Sequence, residues 1–181
     1  MPITNMLRSL LFALIALFPF SNIARAGDGL KILLLGDSTC IGSICRKIDP
    51  RGPHLEDVIR LLLAAEHDLP PTEVVNQGRD GELIHRLLDS GRFDREIATI
   101  KNVDYILIRY GINDAAKRDD FKHRFPEDYA ELIGRLRTLF PTATIVPTSI
   151  MPGMTRDDDG INAMIRKVAD AEGLPYLDIA T

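Results

Sequence analysis

The sequence predicts an α/β fold, a three-layer α/β/α sandwich around a parallel five-stranded sheet. Short apolar runs alternate with segments of helical periodicity along the chain, which is typical of strand-helix-strand units. The first predicted strand, residues 30–35, is apolar at every position except Lys31, as expected for a strand that is covered on both faces. A chain of 181 residues has room for one such domain with a sizeable core.

The elements follow one another in a regular order. Strands are predicted at residues 30–35, 73–76, 104–109, 143–148 and 175–179. Apolar residues at helical spacing predict four helices, whose stripes are Leu55, Val58, Ile59 and Leu62; Leu83, Ile84, Leu87 and Leu88; Tyr129, Leu132, Ile133 and Leu136; and Ile161, Met164, Ile165 and Val168. Pro126 is expected to open the third helix and Gly173 to end the fourth. Right-handed crossovers between the strands would place helices on both faces of the sheet.

The N-terminal segment has the features of an export signal. Arg8 precedes an apolar stretch, and Ala24-Arg25-Ala26 forms a cleavage site of the small-x-small type. The apolar stretch is shorter than the roughly 20 residues that span a bilayer. We therefore expect residues 1–26 to be a signal peptide, residues 27–181 to form the exported domain, periplasmic or secreted, and no stable membrane association after cleavage.

Charge excludes one class of partner. The whole chain has 22 basic and 26 acidic residues and a net charge of −4, and the leader contains two of the arginines and no acid. A nucleic-acid partner is not expected, since it would require a basic surface.

The two cysteines, Cys40 and Cys45, lie close together in the sequence. In an oxidising compartment they could form a disulfide that braces the loop after residue 38, or they could be two free thiols, and both readings stay open. Two sulfurs without C-x-x-C spacing or a nearby histidine pair do not predict a metal site. No cofactor is expected.

Glycine-bearing polar turns follow the first three strands: Gly36-Asp37-Ser38-Thr39, residues 76–81, and Gly111-Ile112-Asn113-Asp114. Taken singly, such residues are most often helix caps or turn formers. In a parallel sheet, however, the carboxyl ends of the strands meet at one edge, where ligands bind. Together, Ser38 as nucleophile, Gly78 allowing a close backbone approach and Asn113 supplying an amide donor predict a site for acyl transfer.

These residues resemble the blocks that define the SGNH, or GDSL-type, hydrolases. Ser38 in Gly-Asp-Ser matches the first block, Gly78 the second and Asn113 in Gly-x-Asn-Asp the third. The resemblance implies a flavodoxin-like parallel sheet and a serine esterase without metal or cofactor. It also implies that the N–H groups of Ser38 and Gly78 and the amide of Asn113 hold the oxyanion. Small-molecule or carbohydrate esters, O-acetyl esters among them, are the expected substrates.

The fourth block of this family, Asp-x-x-His after the fifth strand, has no counterpart in residues 175–181. The family's last helix, which would follow it, has none either. We expect the parent protein to carry the histidine further along, so that the chain as given is an incomplete domain. The alternative is a pseudoenzyme that binds a ligand without turnover. His123, three residues after Asp120, has the family's spacing at another place in the chain and is the only substitute base that the sequence suggests.

A third hypothesis, a nucleotide or phosphate binder, is disfavoured. No G-x-G-x-x-G or G-x-x-x-x-G-K-[ST] motif follows a strand.

Overall fold

The structure, a computed structural model, describes residues 29–66 and 69–180. The predicted signal peptide, His67 and Thr181 lie outside the described residues. Within the described part, no helix combines the length and the apolar composition that crossing a membrane requires.

Four parallel strands form the sheet in the order β2-β1-β3-β4. They are β1 (Leu30–Gly36), β2 (Thr72–Asn76), β3 (Tyr105–Arg109) and β4 (Thr144–Pro147). The helices are α1 (Ser38–Ile41), α2 (Ser43–Ile48), α3 (Leu55–Ala64), α4 (Ile84–Asp89), α5 (Arg92–Arg95), α6 (Ile112–Lys117), α7 (Phe121–Leu139) and α8 (Asp158–Ala171), with a 3₁₀ turn at Ile97–Thr99. The predicted parallel α/β fold is confirmed.

The fifth predicted strand is reduced to a single bridge. Leu177 pairs with Thr148 in parallel, and its N–H donates to the carbonyl of Pro147 at 3.0 Å. The neighbouring residues bond differently, because the N–H of Ile179 donates to the hydroxyl of Ser149 at 2.7 Å instead of to a backbone carbonyl. The segment therefore lies beside β4 as predicted, while the regular sheet has four strands.

The two faces of the sheet bury two separate cores, because side chains alternate along each strand. Leu33 and Leu35 of β1 belong to the larger core under α4, α7 and α8. Ile32 and Leu34 belong to the smaller core under α3. This double burial confirms the three layers and explains why residues 32–35 are apolar without interruption.

Two helices differ in detail from the prediction. α7 begins at Phe121, so Pro126 lies inside it and does not open it. Residues 121–124, which precede the predicted start at Pro126, form its first turn. The reason is that Phe121 and Phe125 are both buried and extend the apolar stripe toward the N-terminus. In α3, Val58 is 37% exposed and Leu63 3%, so the buried stripe includes Leu63 and not Val58.

Candidate active site

Strand register brings the polar turns to one edge of the sheet. Gly36 is paired with Arg109, so β1 and β3 end at the same level, and Leu34 is paired with Asn76, so β2 ends two residues earlier at the same edge. The segment after β2 stays on β1, since the N–H of Arg79 donates to the carbonyl of Gly36 at 3.0 Å. The three turns that sequence reasoning selected thus share the carboxyl edge.

Ser38 begins α1, directly at the end of β1. Asp37, 1% exposed, is the N-cap, and its Oδ1 accepts hydrogen bonds from the N–H and the hydroxyl of Thr39 at 2.9 and 2.8 Å. The turn also requires Gly36, because a Cβ there would lie 2.5 Å from Cβ of Cys40 and 2.6 Å from the Arg109 carbonyl oxygen. The N–H of Ser38 is one of the first-turn donors that a helix leaves without an intrahelical acceptor.

Gly78 packs against the backbone of this turn. A Cβ on Gly78 would lie 2.5 Å from the Ile41 nitrogen and 3.1 Å from the Asp37 carbonyl oxygen. The Gly78 N–H donates to Oδ1 of Asn76 at 3.0 Å. The predicted close approach of backbone at residue 78 is therefore present, and it is made to α1. The role of Gly78 in holding an oxyanion stays a prediction.

The same loop contains a second glycine, Gly81, which the sequence analysis did not select. Its φ is +68°, and its carbonyl accepts a hydrogen bond from Nζ of Lys117 at 3.0 Å. A positive φ favours glycine. The Asp-Gly pair at 80–81 was the signal that could have pointed to it.

Asn113 lies in the first turn of α6. Its Nδ2 is buried and has no hydrogen-bond partner among the described residues. Leaving a buried donor unpaired costs about 1–3 kcal/mol. Such a group is the kind of preorganised donor that stabilises a developing negative charge.

The neighbouring Asp114 is fully buried. Its Oδ1 accepts a hydrogen bond from the N–H of Ile84 at 3.1 Å, and its Oδ2 has no partner among the described residues. Burial raises the pKa of this carboxyl to about 7. Asp114 thus ties the Asn113 turn to the start of α4.

A buried ionic group connects the loop after β2 with the loop after β3. Arg92, 2% exposed, donates from Nη1 to Oε2 of Glu82 at 2.8 Å and from Nη2 to the Gln77 carbonyl at 2.7 Å. The hydroxyl of Tyr110 donates to the same Glu82 oxygen at 2.7 Å. Burial raises the pKa of Glu82, although Tyr110 and Arg92 oppose the shift. Glu82 in the loop after β2 is thereby bonded to Tyr110, which follows β3.

The model of the GDSL-like lipase/acylhydrolase family matches residues 34–181. The chain belongs to this family. It is therefore, by family, a hydrolase of ester bonds, as the Gly-Asp-Ser and Gly-x-Asn-Asp turns predicted. A comparison with curated proteins finds no match.

Solved structures that resemble this GDSL-like acylhydrolase share its fold. An acetylxylan esterase, Axe2, from Geobacillus stearothermophilus is 19% identical, with a TM-score of 0.63 over 83% of this chain and 76% of that one. The α/β hydrolase LAE5 from the metagenome of Lake Arreo, Spain, is 22% identical, with a TM-score of 0.62 over 84% and 78%. The acetyl xylan esterase AlAXEase is 18% identical, with a TM-score of 0.62 over 83% and 77%.

The histidines that the structure describes in this GDSL-like acylhydrolase do not have Ser38 as a hydrogen-bond partner. Nε2 of His54 lies 3.4 Å from the Pro50 carbonyl oxygen, and Nδ1 of His85 lies 3.4 Å from Nη1 of Arg118. His123 is exposed on α7. Among residues 29–66 and 69–180, no histidine hydrogen-bonds to the Ser38 hydroxyl.

The suggested Asp120-x-x-His123 pair is not assembled. Both carboxylate oxygens of Asp120 accept from Arg118, at 3.0 and 3.2 Å, and this interaction lowers the pKa of Asp120. The Asp120 carboxylate therefore binds a guanidinium and not the His123 imidazole.

The question left open on the cysteines is answered by the structure. Cys40 is buried, Cys45 is exposed, and both are free thiols. Burial raises the pKa of Cys40 to about 12, so this thiol stays protonated at neutral pH. In the described part of the chain, no cluster of three or more His, Cys, Asp or Glu side chains could hold a metal ion.

Proposed function

We propose that this GDSL-like acylhydrolase is an exported serine esterase that removes small acyl groups, acetyl above all, from carbohydrates. The observation that carries the proposal is the buried Asn113 Nδ2 without a partner among the described residues. It belongs to the turn after β3, and Ser38 begins the helix after β1, at the same edge of the sheet. A nucleophile and an unpaired amide donor at one edge are the elements that acyl transfer requires.

In the proposed reaction, Oγ of Ser38 attacks the acyl carbon of the ester and its proton passes to a base. The carbonyl oxygen becomes an oxyanion, which accepts hydrogen bonds from the N–H of Ser38 and from Asn113 Nδ2. The intermediate then expels the alcohol of the carbohydrate, which takes up the proton, and leaves an acyl-Ser38 ester. Water attacks that ester in the second half and releases the carboxylic acid.

The third oxyanion donor comes from the loop after β2. Gly78 is the residue predicted for this role, yet its N–H already donates to Asn76, so it would have to exchange that partner for the oxyanion. The N–H of Gly81 has no acceptor among the described residues and is the second candidate. Either N–H lies in a segment bonded to Tyr110 through Glu82.

The choice of substrate is supported by the solved structures that share the fold. Two of the three are described as acetylxylan esterases. Forms of the Geobacillus protein that replace a serine, an aspartate or a histidine are described as catalytic mutants. These similarities favour an acetylated carbohydrate as substrate and an imidazole as the base that accepts the Ser38 proton.

The surroundings of the histidines favour a second candidate function. His54 and His85 lie beside other polar groups and His123 is exposed, as described above. Without a base, the unpaired amide of Asn113 could still bind the acyl carbonyl. The second candidate is therefore a domain that binds acetylated carbohydrate without turning it over.

One experiment separates the two. Acetate release from acetylated xylo-oligosaccharides and from p-nitrophenyl acetate is measured with the purified chain, with Ser38→Ala and with the control Ser90→Ala. The esterase proposal expects turnover that Ser38→Ala abolishes and Ser90→Ala preserves. Turnover that survives in Ser38→Ala would contradict it. Calorimetric binding of acetylated but not deacetylated oligosaccharide, without acetate release, would establish the second candidate instead.

Export is a separate part of the proposal. It rests on the signal-peptide pattern of residues 1–26 and expects mature protein to begin at Gly27. Mass spectrometry of the N-terminus after expression in a bacterium checks this. An intact leader on protein recovered from the cytoplasm would refute it.

A further inference from the structure

The short helix that begins with Ser38 has an unusual set of partners for its carbonyl groups. A four-residue helix cannot satisfy its own carbonyls, because all of them belong to the last turn. In α1, the carbonyl of Ser38 accepts from the N–H of Gly42. Those of Thr39, Cys40 and Ile41 accept instead from the side chains of three residues in other elements, which are Arg109, Asn76 and Arg46.

Two of these donors fix the C-terminal end of α1. Nδ2 of Asn76, the last residue of β2, donates to the Cys40 carbonyl at 3.0 Å. Nε of Arg46, in α2, donates to the Ile41 carbonyl at 2.7 Å. The orientation of the helix therefore depends on how these two side chains are themselves held.

Both side chains converge on Glu56, in the first turn of α3. Its Oε2 accepts from Asn76 Nδ2 at 2.8 Å, and its Oε1 accepts from Arg46 Nη2. Only 19% of the Glu56 side chain is exposed. Burial alone would raise the pKa of Glu56, but the hydrogen bonds from Asn76, from its own backbone and from Arg46 lower it. The carboxylate is thus ionised at neutral pH and uses one oxygen for each donor.

Asn76 extends the arrangement to the neighbouring loop. While its Nδ2 binds the Cys40 carbonyl and Glu56, its Oδ1 accepts from the N–H of Gly78. One amide therefore joins the nucleophile helix to the loop that would supply an oxyanion donor. Removing Glu56 would take one hydrogen bond from each of the Asn76 and Arg46 side chains, and their bonds to the carbonyls of α1 would then be held less firmly.

We propose that Glu56 is a positioning residue for Ser38, acting through Asn76 and Arg46 on the carbonyl end of α1. This inference rests on the proposed function for its effect on catalysis. Glu56 does not touch the acyl group. It sets the direction of the helix whose first residue attacks, and displacements of about 1 Å at such a residue can cost roughly 10²-fold in rate.

The test uses the full chain with Glu56→Ala, Glu56→Gln and Arg46→Ala. Glu131→Ala is the matched control, because Glu131 is also a helical glutamate paired with an arginine, Arg135, at 2.7 Å. With p-nitrophenyl acetate, Glu56→Ala is expected to lower kcat by about 10- to 100-fold with KM changed less than threefold. Glu56→Gln, which keeps one oxygen acceptor, is expected to recover part of the loss. Glu131→Ala should match the parent.

A double variant adds a sharper criterion. If Glu56 acts through Arg46, adding Arg46→Ala to Glu56→Ala should lower kcat by less than the product of the two single effects. If the two losses in kcat multiply, Glu56 and Arg46 act independently, which would contradict the proposal that Glu56 acts through Arg46.

A second measurement does not depend on turnover. The ¹³C chemical shifts of the Cys40 and Ile41 carbonyls report their hydrogen bonds, and they should move in Glu56→Ala and stay in place in Glu131→Ala. If the parent chain hydrolyses no ester, the proposed function fails and these shifts alone decide the positioning. Unchanged shifts, or an unchanged kcat per folded molecule together with a lowered Tm, would show that Glu56 only stabilises α3 and would overturn the proposal.

Discussion

Oδ1 of Asp114 accepts a hydrogen bond from the backbone N–H of Ile84 at 3.1 Å. The bond joins the turn that carries Asn113 to the first residue of α4, 30 residues earlier in the chain. Both ends are buried. The second carboxylate oxygen has no partner among the described residues, so the group is held in place by one bond while the other oxygen is desolvated.

This arrangement predicts a pH-dependent stability. Burial raises the pKa of Asp114 to about 7 in the folded protein, against about 3.9 in an unfolded chain. Between these values the folded state binds more protons than the unfolded state, so the free energy of unfolding falls as pH rises from 4 to 7 and then levels off. In Asp114→Asn the fall should be smaller, by at most about 4 kcal/mol. Urea unfolding at pH 4, 5.5, 7 and 8 measures it, and equal pH slopes in variant and parent would contradict the assignment.

Asn113→Ala should separate catalysis from stability. Loss of one oxyanion donor typically lowers kcat by about 10²–10³. Removing a buried donor that has no partner also removes the cost of its desolvation, so the free energy of unfolding should fall by less than about 1 kcal/mol or rise. Asn162→Ala is the control, because Asn162 Oδ1 accepts from the Ile150 N–H at 2.9 Å. That variant should lose about 1–3 kcal/mol with a smaller change in kcat. The reverse pattern in esterase and denaturation assays would refute the role of Asn113.

Much of the fold was predictable because it depends on local patterns. The uninterrupted apolar run at 32–35 reflects burial on both faces of β1. Parallel topology then places the turns of Ser38, residues 76–81 and Asn113 at one edge. α7 was placed too late because proline usually starts helices. Pro126 removes only the donor for the Lys122 carbonyl, and Lys122 is exposed, so water can replace that bond.

The side-chain networks were not predictable in the same way. Glu56 lies 10 residues after Arg46 and 20 before Asn76, and Asn76 reaches it from β2, where the register pairs Asn76 with Leu34. Glu82, Arg92 and Tyr110 are likewise brought together by the folded chain, with Tyr110 28 residues after Glu82. Each of these residues, read alone, is an ordinary polar or aromatic residue. That Cys40 is a free thiol is likewise connected with its burial, which the spacing of the two cysteines does not show.

Tyr110→Phe should destabilise the protein more than Tyr129→Phe. Both hydroxyls are buried, but Tyr110 donates to the Glu82 carboxylate at 2.7 Å, whereas Tyr129 donates to the neutral Ile108 carbonyl at 3.2 Å. Bonds to charged groups contribute about 1.5–3 kcal/mol and neutral ones about 0.5–1.5. Guanidinium denaturation at pH 7 gives both values, and an equal or inverted order would show that Glu82 is not held as a carboxylate by Tyr110.

Gly78→Ala should disturb the nucleophile helix. The added Cβ would lie 2.5 Å from the Ile41 nitrogen and 3.1 Å from the Asp37 carbonyl oxygen. These are backbone atoms of the Ser38 turn, so the turn must shift, at a cost of about 1–3 kcal/mol in stability and a larger loss in kcat than in KM.

Gly134→Ala is the control for Gly78→Ala. Apart from its chain neighbours and the backbone of its own helix, α7, no described atom lies within 4 Å of a Cβ at Gly134. Alanine in a helix is favoured over glycine by about 1 kcal/mol. Gly134→Ala should therefore raise Tm and keep the kcat of the parent. Since the Gly78 contact is with α1 itself, Gly78→Ala should also move the ¹³C carbonyl signals of Cys40 and Ile41. Parent-like kcat and carbonyl signals in Gly78→Ala would mean that the loop after β2 does not set the position of Ser38.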